Sequence, residues 1–373
     1  MRAANILYLG IKELRSLARD PVMLVLIIYA FSFAIYTAAQ ALPQTLNKAP
    51  IVIVDEDRSP LSARINGAFY APYFVTPVII NQAGMDAQMD AGLATFALNI
   101  PPDFQADVLA GHAPTLQLNV DATRMSQAFA GSGYVQAIAA AEVREFVQGY
   151  RGDAALPAEL VIRARFNPLL QNAWFGSVME LVNSVTMLSI VLTGAALIRE
   201  REHGTVEHLL VMPVTPFEIM TSKVWAMGLV VLTACGLSLF FVIEGALAVP
   251  IEGSRLLFLS GAALLLFATT SMGIFLGTIA RSMPQFGLLL LLVLLPLEIL
   301  SGGTSPRESM PAAIQFLMQA APNTHFVMLS QAVLYRGAGL DVVWPEFVKI
   351  AVIGVILFSL ALARFRRTIG EMA

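Results

Sequence analysis

Two glutamates that lie inside long apolar segments are the residues of this sequence whose type and position most clearly suggest chemistry. Glu244 stands five residues before Val249, and Glu298 stands two residues before Leu300, so each falls near the end of its segment. A charge at the centre of a bilayer costs about 2.5–3.5 kcal/mol on insertion scales, so such residues usually face protein or water. Either the two carboxylates line a polar pathway or bind a cationic group, or they lie close enough to the interface for water to solvate them.

A break in the helical pattern follows directly after Glu298. Gly302 and Gly303, with Pro306 and Pro311 behind them, interrupt the apolar run. Non-helical backbone at membrane depth is tolerated only where protein or a cavity covers it. The sequence therefore predicts either a short re-entrant element that dips toward the pathway or an ordinary external loop that begins early.

Residue spacing indicates neither a catalytic set nor a metal site. His203 and His208 are five positions apart, whereas two ligands on one helical face stand three or four apart. The G-x-x-x-x-G-K-[ST] pattern is missing from the sequence, so no phosphate-binding loop is predicted. The net charge of −3 also argues against a nucleic-acid partner. We therefore predict a non-enzymatic chain without a cofactor of its own.

The elements that position these residues are predicted to be membrane helices. The chain has 373 residues, of which 57% are hydrophobic and only 13% are charged, whereas soluble domains carry about 25% charged residues. A run of about 18 apolar residues can cross a hydrocarbon core roughly 30 Å thick. Six segments qualify: Val22–Ala39, Trp174–Ile198, Val224–Val249, Leu256–Ala280, Met283–Leu300 and Phe347–Ala363. The predicted fold class is mainly α, a polytopic membrane protein with six helices.

The distribution of Lys and Arg orients the six predicted helices. Basic residues precede the first helix, lie between the second and third and between the fourth and fifth, and follow the sixth. With six helices all of these segments fall on one side, which the positive-inside rule makes the cytoplasm. We therefore expect a multi-pass protein of the bacterial inner membrane with both termini in the cytoplasm, the C-terminal tail being residues 366–373.

The N-terminal segment is predicted to stay attached to the first membrane helix. Apolar residues recur at helical spacing between Ile6 and Ala18, which predicts an interfacial helix over residues 1–20, ahead of a membrane helix over 21–42. An ordinary basic segment beside the membrane is the alternative. A cleaved signal peptide is disfavoured because the apolar run exceeds the usual 7–15 residues.

Residues 43–170 are predicted to form an extracytoplasmic α/β domain between the first and second helices. Short β-rich runs at Ile51–Asp55, Thr95–Ile100 and Thr115–Val120 alternate with segments that begin at helix-start signals such as Ser59-Pro60. About 125 residues are enough for a core of their own. The acidic run Asp55-Glu56-Asp57 is interpreted as a solvated turn in preference to a cation site.

The five-helix region over residues 171–365 contains the most distinctive segment, a charged loop at 199–221. Its charged and helix-breaking residues are Glu200, Glu202, Gly204, Thr205, Glu207, Pro213 and Pro216, and Leu210 lies on the apolar face of the short helix between them. Such a helix is too short to span a membrane, so its polar face is available to a cytoplasmic partner. The alternative is a loop that only stops transfer and orients the adjoining helices.

This loop resembles the signature of type-2 ABC transporter permeases, E-x-E-x-G-T-x-E-x-L-L-x-x-P-V-x-P-x-E. The matching positions are Glu200, Glu202, Gly204, Thr205, Glu207, Leu209, Leu210, Pro213, Val214, Pro216 and Glu218. The order of elements, with a large external domain after the first helix, is similar to the family as well. The resemblance covers nearly the whole chain.

The resemblance implies a permease subunit whose loop docks as a coupling helix on the nucleotide-binding domain of an ABC ATPase. ATP and magnesium would then bind to that partner, which could carry a fused membrane domain of its own. A second permease half, in a homodimer or heterodimer, and a membrane-fusion protein are the other implied partners. The implied activity is efflux across the inner membrane. Two alternatives remain: a mechanotransmission subunit that drives an extracytoplasmic partner without a transmembrane substrate path, and a membrane-embedded enzyme acting on lipid carriers.

Overall fold

The computed structural model describes residues 3–41, 46, 48–121, 125–149, 172–202, 214–303, 307 and 310–370. The chain divides into two compact units. One contains residues Met1–Ala41 and Ala164–Ala373, and the other contains Leu42–Arg163. The predicted bounds of the insertion are residues 43–170, which differ from this unit by one residue at the start and by seven at the end.

Among the described residues of the first unit, six helices are long and apolar enough to cross a membrane, in agreement with the predicted number. Spans 1 to 6 are Pro21–Gln40, Trp174–Glu202, Pro216–Ala246, Arg255–Ile279, Met283–Leu300 and Leu340–Thr368. Spans 3 and 6 begin at Pro216 and Leu340, well before the predicted Val224 and Phe347, because the helices continue beyond the uncharged apolar runs from which the spans were predicted. The fold is mostly helical, with one small sheet between spans 1 and 2.

Spans 2 and 4 form the centre of the bundle, since they are the most buried of the six. Gly273 of span 4 lies so close to span 2 that an added Cβ would stand 2.2 Å from Thr193 Oγ1. Gly277, one turn further, faces Gly194 of span 2. This small-residue pair therefore brings two helices of the same chain together.

The ends of the spans form two groups, one at each end of the bundle. We name the loop end after residues 203–213, which connect spans 2 and 3, and call the opposite end the far end. Polar contacts at the loop end join the start of span 1 to the end of span 2. At the far end, the Tyr335 hydroxyl donates to the carbonyl of Trp174, 3.0 Å away, at the start of span 2.

One helix, α1 (Ala3–Ala18), precedes span 1 and packs along span 3. Its buried residues are Gly10, Glu13 and Leu17, which recur at helical spacing and so form one face. Asp20 is the last residue before span 1. Its carboxylate caps span 1 by accepting a hydrogen bond from Met23 N at 3.2 Å.

Two short helices connect spans 5 and 6. They are α6 (Ala312–Met318) and α7 (Pro322–Ser330), and α7 continues into a π-helical turn over Gln331–Tyr335. Asn323 of α7 accepts a hydrogen bond from Thr186 at 2.7 Å, and Thr186 lies 12 residues into span 2. At 1.5 Å per residue this contact is about 18 Å from the start of that span, so α7 enters the bundle.

The second unit is an α/β insertion with its own core. Its four strands, β1 (Ile51–Asp55), β2 (Val78–Ile80), β3 (Phe96–Ile100) and β4 (Gln117–Val120), have the order β2-β1-β3-β4, in which only β4 is antiparallel. Its helices are α2 (Pro60–Gly67), α3 (Gln82–Asp90), α4 (Phe104–Leu109) and α5 (Met125–Gln148). Buried side chains from β1, β3, α2, α4 and α5 form the core on one face of the sheet, and Met85 of α3 covers the other.

Candidate functional site: the loop end of the bundle

The predicted loop residues fall within residues 203–213, which lie outside the described part of the chain, and on both sides of that segment. Gly204, Thr205, Glu207, Leu210 and Pro213 lie outside the described residues. Glu200 and Glu202 belong to the last turns of span 2, and Pro216 is the first residue of span 3. The described part of the site therefore consists of the two helix ends between which residues 203–213 run.

The start of span 3 is fixed by a reciprocal cap. The hydroxyl of Thr215 accepts a hydrogen bond from Glu218 N at 3.3 Å, and the Glu218 carboxylate accepts one from Thr215 N at 2.8 Å. Pro216 occupies the first helical position, where a proline loses no backbone hydrogen bond. Three residues of the predicted loop at 199–221 thus define where span 3 begins: Thr215, Pro216 and Glu218.

A closed ring of four charges joins α1 to both helix ends. Lys223 Nζ of span 3 lies 3.0 Å from Glu13 of α1 and 2.8 Å from Glu200 of span 2. Lys12 Nζ of α1 lies 2.6 Å from Glu200 and 3.4 Å from Glu13. The Lys223 side chain is 2% exposed, so its charge is separated from water and depends on the two carboxylates.

The end of span 2 is tied to two further elements. Arg199 pairs with Asp20 at the start of span 1. Arg201 donates a hydrogen bond to the carbonyl of Ala280 at 2.7 Å, and Glu202 accepts one from Met283 N at 3.1 Å, so both hold the connection between spans 4 and 5. A displacement of the 203–213 segment would therefore act on α1 and on spans 1 to 5 together.

The surroundings of Asp20 favour the charged form of its carboxyl. Its partial burial raises the pKa of the carboxyl, but the hydrogen bond from Met23 N and the neighbouring Arg199 guanidinium outweigh burial and hold that pKa below its usual value. The pair with Arg199 thus connects the end of span 2 to the start of span 1 at the loop end.

At the far end, the two candidate pathway carboxylates have different surroundings. Glu244 pairs with Arg255 at 2.5 Å, across the turn between spans 3 and 4, and its side chain is largely covered. Glu298 of span 5 is half-buried. The structure therefore gives Glu244 a cationic partner within the chain.

Gly302 and Gly303 form the bend that ends span 5. Gly302 has a φ of +94°, a left-handed conformation that favours glycine. A Cβ at Gly303 would stand 3.1 Å from Met179 Sδ of span 2, so the bend also packs closely on that helix. Among the described residues, no three His, Cys, Asp or Glu side chains are grouped so as to hold a metal ion.

Sequence reasoning missed the partnership of Glu13 and Lys223. Lys223 is one of the basic residues that the sequence analysis places between the second and third predicted helices, whereas it lies inside span 3 and is buried. One feature of the sequence could have shown that Lys223 lies within the helix. The Thr215–Glu218 capping pattern marks the start of span 3, and Lys223 lies two turns beyond that start. A lysine at that depth requires a carboxylate partner.

Comparison with known proteins agrees with this architecture. The model of the ABC-2 family transporter proteins matches residues 21–363. The chain is therefore a permease of the ABC-2 transporter family and a multi-pass protein of the inner membrane. It is 61% identical over 369 residues, 99% of both chains, to the inner membrane transport permease YhhJ of Escherichia coli K12.

Two more distant relatives extend the comparison. The chain is 27% identical to the probable multidrug ABC transporter permease YbhR of Escherichia coli K12, over 96% of this chain and 97% of the relative. It is 26% identical to the permease YbhS of the same organism, which is also described as a probable multidrug ABC transporter permease, over 88% of each chain. The predicted family is thus confirmed by matches that span nearly the whole sequence.

Proposed function

We propose that this chain is the permease subunit of an ATP-driven exporter, and that a partner ABC ATPase docks on the loop at residues 199–221. In this arrangement the loop end and both termini lie in the cytoplasm, as the distribution of Lys and Arg favours. ATP and magnesium bind to the partner. A second permease half completes the pathway, and a membrane-fusion protein extends it.

The charge ring at the loop end is the observation that carries the proposal. A short loop can transmit force only if the helix ends beside it move as one body. Lys223, Glu13 and Glu200 join α1, span 2 and span 3 through contacts of 2.8 and 3.0 Å that are shielded from water. Gly204, Thr205, Glu207, Leu210 and Pro213 would then supply the surface that the ATPase contacts.

The mechanism we propose is alternating access. Closure of the nucleotide-binding domains displaces the loop, and the ring converts this displacement into a tilt of spans 2 and 3. At the far end the same tilt changes the spacing of spans 2 and 5, where Glu298, Gly302 and Gly303 are candidate pathway residues. Glu244 is the fourth candidate, and release from Arg255 would be needed to expose it.

The test is affinity purification of the full-length chain from native membranes in mild detergent, followed by mass spectrometry and an ATPase assay. We expect a stoichiometric ABC ATPase, and we expect Glu207→Lys to lower both its recovery and the ATPase activity. Glu252→Lys is the matched control because Glu252 is exposed at the far end. Recovery of the chain without an ATPase in several detergents would overturn the proposal.

Mechanotransmission is a second candidate, favoured by the insertion at residues 42–163, which has a sheet and core of its own. In that case ATP hydrolysis moves an extracytoplasmic partner, and no cargo crosses the bilayer.

Because YbhR and YbhS are described as probable multidrug permeases, drug-like dyes are the first cargo to test. ATP-dependent dye accumulation in inverted membrane vesicles would favour the exporter, whereas an active ATPase that moves no dye would favour mechanotransmission.

A further inference from the structure

A small cavity with cationic walls lies at the far end, between α7, the end of α6 and span 6. Its volume is about 430 Å³, and it is lined by Arg307, Gln319, His325, Lys349 and three aliphatic side chains of span 6. No role was assigned to these residues by the sequence or by the proposed mechanism. The cavity is independent of the loop end.

The charges around the cavity do not cancel. His325 Nδ1 lies 2.6 Å from the Glu346 carboxylate, and His325 Nε2 lies 2.9 Å from the carbonyl of Gln319. Lys349 also contacts Glu346, at 2.8 Å. Among the described residues at the cavity, the single carboxylate of Glu346 therefore stands against two cations, Lys349 and Arg307.

Arg307 has unused hydrogen-bonding capacity. Its Nε is buried and has no hydrogen-bond partner among the described residues. Its Nη1 lies 2.9 Å from Met328 Sδ, and a thioether is a weak acceptor for a charged guanidinium. A guanidinium whose Nε is buried and unpartnered is stabilised by an anion with several acceptor oxygens, and phosphate matches its planar set of donors.

The cavity opens on an apolar strip of span 6. Val348 and Val352 line it and are 50% and 53% exposed, and Trp344 is exposed one turn nearer the start of the helix. Phe316 and Leu317 of α6 are exposed as well. Exposed aliphatic side chains on a membrane span face lipid chains, and tryptophan favours the headgroup level. The cationic wall thus lies where the headgroup region meets hydrocarbon.

We propose that this cavity binds one anionic phospholipid in the leaflet at the far end of the bundle, which is the outer leaflet in the orientation of the proposed function. The phosphate contacts Arg307 and Lys349, and one acyl chain lies along Val348 and Val352. A zwitterionic lipid is bound less tightly because the net positive charge of the wall repels its ammonium group. The lipid would hold Arg307, and through it the bend after span 5, against α7 and span 6.

The test uses the purified full-length chain in detergent with phosphatidylglycerol or phosphatidylcholine of identical acyl chains. Bound lipid per chain is measured by native mass spectrometry, and the thermal unfolding midpoint is recorded at each lipid concentration. We expect one tightly bound phosphatidylglycerol and a rise in the midpoint that phosphatidylcholine does not produce. Lys349→Gln, and the double variant with Arg307→Gln, should weaken phosphatidylglycerol binding by about tenfold or more.

Arg336→Gln is the matched control, since Arg336 is an exposed cation at the same end of the bundle outside the cavity. It should bind phosphatidylglycerol as the unmodified chain does. Lys349→Gln alone removes a half-exposed side chain, so its fold should persist even if the double variant is unstable. Equal binding of both lipids, equal losses in Arg336→Gln and Lys349→Gln, or the same midpoint rise with inorganic phosphate alone would each overturn the proposal.

Discussion

At the residue scale, the buried ammonium of Lys223 connects α1, span 2 and span 3 at the loop end. Its nitrogen contacts Glu13 and Glu200, and its desolvation is compensated only while both carboxylates stay in place. Composition and span length could not predict this arrangement, because a lysine beside an apolar run normally marks the cytoplasmic boundary. Its partner Glu13 is 210 positions away in sequence, and no local pattern connects the two.

Lys223→Met should be strongly destabilising, whereas the neighbouring Lys12→Met should not. Without Lys223, Glu13 and Glu200 face each other in a buried site, and removing one partner of a buried ion pair costs about 3–5 kcal/mol. Lys12 is half-exposed, and its loss should cost less than about 1 kcal/mol. The measurement is the thermal unfolding midpoint in detergent.

Glu13→Gln added to Lys223→Met should restore part of the lost stability, because it removes one of the two opposed carboxylates. Equal midpoints for Lys223→Met, Lys12→Met and the unmodified chain would contradict the role of the ring. A double variant no more stable than Lys223→Met would show that repulsion between the carboxylates is not the cause.

At the scale of elements, the sequence predicted those whose signals are local. Strands β1, β3 and β4 lie within the predicted runs, and α2 begins at the predicted Ser59-Pro60 cap. The sequence missed β2 and α3. Val78 and Ile79 of β2 are exposed, and the strand is only three residues long, so it exists because β1 pairs with it rather than because of its own pattern.

The sequence did not predict the buried helix α7, and the reason is a different one. Its polar run Asn323-Thr324-His325 resembles a loop, yet all three residues are buried. Asn323 donates to the carbonyl of Leu297 at 3.2 Å and accepts from Thr186, and His325 contacts Glu346. These partners belong to spans 5, 2 and 6, so burial of the run depends on tertiary contacts that sequence spacing does not reveal.

The docking of α1 on span 3 should depend on Gly10. A Cβ at this position would stand 2.0 Å from the Trp225 ring, whose Nε1 donates to the carbonyl of Ile6 at 3.2 Å. Gly10→Leu should therefore displace α1, at a cost of about 1–3 kcal/mol for overpacking. In a chain carrying Leu17→Cys, maleimide should then label the new thiol about tenfold faster.

Ala18→Leu is the control for this measurement because Ala18 is an exposed residue of the same helix. Labelling at position 17 should be unchanged by it, and the buried Cys235 should remain unreactive in every variant. Equal labelling rates with Gly10→Leu and Ala18→Leu would show that the contact with Trp225 does not hold α1 in place.

At the scale of the whole molecule, a permease bundle carries an insertion that has a separate core. The core of the insertion is formed by side chains such as Phe96 and Ile53, and that of the bundle by side chains such as Val185 and Leu188, all fully buried. The number of spans and the position of the insertion follow from composition along the chain. The internal order of the sheet does not, because parallel pairing joins strands that are distant in sequence.

Because each unit has its own core, a core substitution in one unit should leave the other folded. Phe96→Ala should destabilise the insertion by about 3–5 kcal/mol, since it removes a fully buried ring. In hydrogen-exchange mass spectrometry, peptides covering Ile51–Asp55 should exchange faster, while peptides covering Pro216–Ala246 should not change. Leu188→Ala in span 2 is the reciprocal control. Loss of protection in both units from Phe96→Ala would mean that they unfold as one cooperative body. Such coupling would favour mechanotransmission through the insertion over an exporter in which the insertion is an accessory.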